Sequence, residues 1–123
     1  MAADRPGVAS TVSGMSDVTV DEAAALLESG ALLLDVREQE EWDAGHVDGA
    51  LLMPMNSVVT RLEELPADRT IVVICRSGGR SGVVTKALSV KGFAAVNVAG
   101  GLLAWAAGKH PVVTDDGIPG SVS

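Results

Sequence analysis

The chain has 123 residues and a formal net charge of −7. That length fits one small domain with a single core. The acidic balance argues against nucleic acid and anionic membranes as partners, because binding phosphate needs a basic face.

Residues 1–16 are rich in Gly, Ser and Ala and read as a flexible N-terminal arm. They hold no long apolar stretch of the kind that marks a secretory signal. No segment approaches the roughly 18 apolar residues of a membrane span. Together these points predict a cytoplasmic protein. Thr19 and Glu22 have capping-box spacing. Val20, Ala23, Ala24 and Leu27 then form a helical stripe that Gly30 can end. ALLLDV (31–36) is a continuous apolar run, which suits a strand buried on both faces. EQEEWDAG predicts a short helix ending near Gly45, and ALLM (50–53) a second strand stopped by Pro54.

Asn56 or Ser57 is positioned to cap a helix carrying Val58, Val59, Leu62 and Leu65, with Pro66 as its stop. TIVVI (70–74) is the clearest buried strand. After it comes CRSGGRS (75–81), then a helix whose apolar face is read as Val83, Val84, Ala87 and Leu88, with Gly92 as its stop. AVNV (95–98) predicts a further strand and GGLLAWAAG a last helix. Residues 110–123 are polar and Pro/Gly-rich and read as a C-terminal tail. Short buried strands alternating with amphipathic helices predict parallel βαβ units, an α/β fold.

The chemistry points to Cys75. It is the only cysteine, so no internal disulfide can form. It sits at the carboxyl end of a buried strand, where open parallel sheets place their sites. A helix start supplies free N–H groups there, and Arg76 and Arg80 add positive charge; both favour the thiolate. Gly78 and Gly79 let the backbone curl into a nest of N–H donors that binds anions. A buried cysteine that merely packs would not explain the arginines. The loop also differs from its rivals. A cysteine phosphatase carries its arginine one position further on, where this chain has Ser81. Without Gly-Lys-Ser/Thr it is no phosphate-binding P-loop, and without a second cysteine or a Cys/His cluster it offers no CxxC redox pair and no zinc site.

Four motifs in register resemble the single-domain rhodaneses, sulfurtransferases of the thiosulfate type: LLLDVRE (32–38), GHVDGA (45–50), CRSGGRS (75–81) and GGLLAW (100–105). The agreement marks residues 17–109 as the domain. The resemblance implies a rhodanese-like three-layer fold, a five-stranded parallel sheet with helices on both faces. It implies that Cys75 takes sulfur from a small anionic donor, carries it as a persulfide, and passes it to cyanide or to a thiol or protein acceptor. No metal or other cofactor is expected. Arg76, Ser77, Gly78, Gly79 and Arg80 would bind the donor and stabilise the persulfide. Asp35, Arg37, His46 and Ser81 would support the site, Asp35 and Arg37 by tying the strand end to nearby loops. A thiolate of lowered pKa needs no separate base, which argues against that role for His46. Trp42 and Trp105 read as packing residues and His110 as part of the tail. Mercaptopyruvate or a protein persulfide is an alternative donor. Rhodanese-like modules that only bind partners are the alternative class, but these usually have lost the cysteine.

Overall fold

The structure, a computed structural model, describes residues 17–123; the arm expected over 1–16 lies outside the described residues. Five strands form one sheet: β1 (Asp17–Val18), β2 (Leu32–Asp35), β3 (Leu51–Leu52), β4 (Ile71–Ile74) and β5 (Ala95–Val98). All neighbours pair in parallel, in the order β1-β5-β4-β2-β3. Strand β4 lies at the centre, and all its residues are buried, because both of its faces are covered.

Alternation along the strands divides the core in two. Ile71, Val73 and Cys75 face Val58, Leu65, Val84 and Leu88 on one side of the sheet. Val72 and Ile74 face Ala23, Leu102 and Trp105 on the other. The first layer comes from α3 (Met55–Val58), a 3₁₀ segment (Val59–Glu64) and α4 (Gly79–Val90); the second comes from α1 (Val20–Glu28) and α5 (Gly101–Ala107). Helix α2 (Gln39–Ala44) closes the carboxyl end of β2. This is the three-layer α/β arrangement that the resemblance implies. Thr19 caps α1 through the expected box, accepting from Glu22 N–H while its own N–H donates to Glu22. No helix among the described residues is long and apolar enough to cross a membrane.

Three local expectations change. The helix expected through Leu65 is broken: α3 starts after Pro54, not Asn56 or Ser57, and a 3₁₀ segment follows it. The tighter 3₁₀ turn leaves Val59 64% exposed. On α4 the buried face is Ser81, Val84, Thr85 and Leu88, so Val83 and Ala87 point outward. The face contains two hydroxyls, which a reading by apolar residues alone passes over. Lastly, residues 110–123 are no loose tail. Trp105 Nε1 donates to Pro111 O at 3.0 Å, Ser121 N to Ala44 O at 2.9 Å, and Val113 exchanges backbone bonds with His46 at 2.8 Å. Val112 and Val122 pack onto the core on the α1/α5 side.

Candidate active site

Cys75 directly follows β4 and is 1% exposed. Beyond it the chain turns sharply at Gly78, whose φ of 108° is a left-handed conformation that favours glycine. The turn folds the loop back over the sulfur. Gly78 N–H donates to Sγ at 3.1 Å and Ser81 N–H at 3.4 Å, and Ser81 Oγ lies 3.2 Å from it. Gly79, by contrast, begins α4 with ordinary helical geometry, and a Cβ there would meet nothing within 4 Å. Its contribution is open space at the loop rather than a special backbone angle.

What keeps the loop N–H groups turned toward the sulfur is a second helix. The N-terminus of α5 binds the loop from outside: Leu102 N–H donates to Cys75 O at 2.8 Å and Leu103 N–H to Arg76 O at 3.0 Å. The two backbones approach so closely that a Cβ on Gly101 would lie 2.6 Å from both carbonyl oxygens. Burial pushes the Cys75 thiol up. The Ser81 hydroxyl and the N–H groups of Ser81, Gly78 and Ser77 outweigh it and hold the thiol below its ordinary value. The residues around the sulfur therefore favour an anion there.

The two arginines divide. Arg76 is exposed, and no carboxylate among the described residues pairs with it. Arg80 is committed to Glu41: NH1 donates to Oε1 at 2.7 Å and NH2 to Oε2 at 2.9 Å. Its hydrogen bonds hold the Glu41 carboxyl well below the usual range, at about 2. The expectation that both arginines hold an anionic donor therefore falls chiefly on Arg76. The Arg80 charge is neutralised and clamps α4 to α2.

Asp35 and Arg37 form a buried support beneath this clamp. Arg37, 0% exposed, donates through NH2 to Asp35 at 2.8 Å and to Gly45 O at 2.8 Å, and through NH1 to Glu41 O at 3.2 Å. Glu41 is thus held by its carbonyl from Arg37, just past β2, and by its carboxylate from Arg80 on α4. His46 stacks on Trp42 with ring centroids 3.7 Å apart; its Nδ1 meets Trp42 O at 2.9 Å, and its Nε2 faces Asp115 at 3.3 Å. Both ring nitrogens are engaged away from the sulfur. Trp105 is buried, while His110 stands 3.0 Å from Asp21. Ser77 is exposed at the loop surface, and it bears on Cys75 through its N–H rather than its hydroxyl.

Sequence reasoning missed three residues. Glu41 stands 39 residues from Arg80, a pairing that spacing cannot reveal. Gly101 was visible only as part of a glycine pair. Asn97, in the apolar stretch AVNV, accepts from the Ser81 hydroxyl and donates to Asp17 and Gly78 O. A separate shallow pocket of about 210 Å³, lined by Leu27, Leu33, Asp48 and Arg69 among others, opens at the amino ends of the strands, far from this chemistry.

A three-layer parallel α/β domain with a cysteine ringed by backbone N–H groups at a strand's carboxyl end is a setting that suits a thiolate nucleophile. Comparison with known proteins makes it specific. The family model described as "Rhodanese-like domain" matches residues 19–108, and the chain belongs to that family. A thiosulfate sulfurtransferase of Arabidopsis thaliana is 37% identical over 118 residues, spanning 83% of this chain and 86% of that one. A probable adenylyltransferase/sulfurtransferase of Mycobacterium tuberculosis is 41% identical over 101 residues, which span 78% of this chain and only 26% of that one. The chain therefore spans about a quarter of that longer relative. A rhodanese-related protein from Thermoplasma volcanium superposes with a TM-score of 0.76 at 27% identity, covering 80% of this chain and 98% of that one.

Proposed function

We propose that the protein moves sulfane sulfur from thiosulfate, or a similar small anionic donor, to a thiol or cyanide acceptor through a persulfide on Cys75. The observation that carries the reading is the set of N–H groups directed at Sγ by the loop and α4. The Cys75 thiolate attacks the outer sulfur of thiosulfate. A new S–S bond forms, the donor's S–S bond breaks, and sulfite leaves with the bonding pair. The negative charge now rests on the outer sulfur of the persulfide. Attack by cyanide or a thiolate on that sulfur breaks the new bond and returns the thiolate. Arg76 attracts the dianion from the mouth of the loop, and hydrogen bonds to a charged group of this kind are worth roughly 1.5–3 kcal/mol each. The 37% identity to a thiosulfate sulfurtransferase supports the donor class.

The test is thiocyanate formation from thiosulfate and cyanide, run beside mercaptopyruvate as donor. Turnover with thiosulfate that disappears in Cys75→Ser supports the proposal. A clear preference for mercaptopyruvate would reassign the donor, and no turnover with either would favour a module that only binds partners.

A further inference from the structure

Ser81 has one hydroxyl proton and two claimants for it. Its Oγ lies 3.2 Å from Cys75 Sγ and 2.5 Å from Asn97 Oδ1. The Asn97 amide is oriented by its other end. Nδ2 faces two acceptors, Asp17 Oδ1 at 3.1 Å and Gly78 O at 3.3 Å, so turning the amide over would set oxygen against oxygen. Oδ1 therefore faces Ser81 and needs its proton. Asn97 is 5% exposed and Ser81 is 0% exposed, so no bulk water relieves the contest. The fold creates it by register: Asn97 pairs across the sheet with Val73, two positions before Cys75 on the same face.

With a neutral thiol every group is satisfied: S–H donates to Ser81 Oγ, and Ser81 O–H donates to Asn97. With a thiolate the hydroxyl must either present a lone pair to the anion or leave Asn97. We propose that Asn97 is a positioning residue of the sulfur site, a resting place for the Ser81 proton that is given up to Sγ only while Sγ is charged. The persulfide step, which alone rests on the function proposed above, completes the cycle. Once the charge moves to the outer sulfur, Sγ no longer needs the proton, and the Ser81–Asn97 bond closes again. Asn97 thus opposes the resting thiolate and favours its conversion to the persulfide.

The test needs no sulfur donor. The rate of Cys75 alkylation by iodoacetamide is measured against pH in the full chain, in Asn97→Leu, in Ser81→Ala and in the double variant. Leucine accepts no proton and leaves little else orphaned: Gly78 O keeps its bond from Gly82 N–H at 3.0 Å, and Asp17 is exposed. The other charges near the sulfur, Arg76, Arg80 with Glu41, and Asp17 behind Asn97, are the same in all four proteins. Asn97→Leu frees the hydroxyl for the sulfur and should lower the apparent thiol pKa by about 0.5–1 unit, the worth of one net hydrogen bond. Ser81→Ala should raise it. With Ser81→Ala already in place, Asn97→Leu should leave it unmoved. A rise or no change in Asn97→Leu, or the same shift in both backgrounds, overturns the proposal. Should the leucine variant fail to fold, by loss of its cooperative melting transition, Asn97→Val is read in the same way on a strand that favours β-branched residues. Because alkylation is independent of sulfur transfer, this result and the thiocyanate assay can fail separately.

Discussion

A lone cysteine constrains its own chemistry. Because the chain has no second thiol, nothing within it can attack a persulfide and leave a disulfide. Brief treatment with thiosulfate, followed by desalting and intact-mass measurement, should show a gain of one sulfur atom, and cyanide should remove it. Active turnover without that gain would favour direct transfer in a ternary complex. The arginines separate at this scale too. Arg76 is exposed and has no carboxylate partner among the described residues, whereas the Arg80 guanidinium is already bonded to Glu41. Arg76→Ala should raise KM for thiosulfate severalfold, about 10-fold for a lost interaction near 1.4 kcal/mol, and added salt should shrink the difference. Arg80→Ala should change melting temperature more than the salt dependence of KM. Similar salt dependence in the two variants would place both charges at the donor.

At the level of elements, the site is a strand end gripped by helices. The buried Arg37, just past β2, bonds Asp35 at the end of β2 at 2.8 Å and Glu41 O in α2 at 3.2 Å. Removing one partner strands the other charge in the core, so Arg37→Ala should cost about 3–5 kcal/mol by denaturant titration; a loss below 1 kcal/mol would show that water replaces the guanidinium. Gly101 has a φ of 60° against the loop carbonyls. Gly101→Ala should therefore lose about 1–2 kcal/mol from backbone strain alone, and activity should fall further because the loop must shift. Activity equal to that of the parent would show that the loop tolerates the movement. Much of this was legible in the sequence. TIVVI announced a strand buried on both faces, and the glycines after Cys75 announced a turn that aims backbone N–H groups at the sulfur. The rest was hidden for physical reasons. On α4 Val84 and Leu88 were legible, but Val83 and Ala87 stood in for the true Ser81 and Thr85, because these two are buried polar residues, Thr85 donating to Ser81 O at 2.7 Å. Partners such as Glu41 and Asn97 are joined to the loop only by the fold.

Across the whole molecule, acid should undo the clamp between α2 and α4. Glu41 is held at about 2 by Arg80, below its ordinary 4.5. A depressed carboxyl contributes stability that is fully present above the unfolded value and disappears as pH falls through the folded one. The advantage of the parent over Arg80→Met should therefore be constant near neutrality, shrink below about pH 4.5 and vanish near pH 2. Its size should be about 1 kcal/mol or less, because Arg80 is 33% and Glu41 19% exposed. An advantage unchanged at pH 2 would trace it to packing instead. The grip of α5 on the loop has a consequence for speed. Water must turn its dipoles each time a charge appears or moves, and that rearrangement adds to a barrier. Here the carbonyls of Cys75 and Arg76 are already tied to Leu102 and Leu103. The loop dipoles acquired their alignment when the chain folded, before any donor arrived. The backbone N–H groups of the cradle would therefore meet a charge on Sγ already aligned, and only the Ser81 hydroxyl would have to turn.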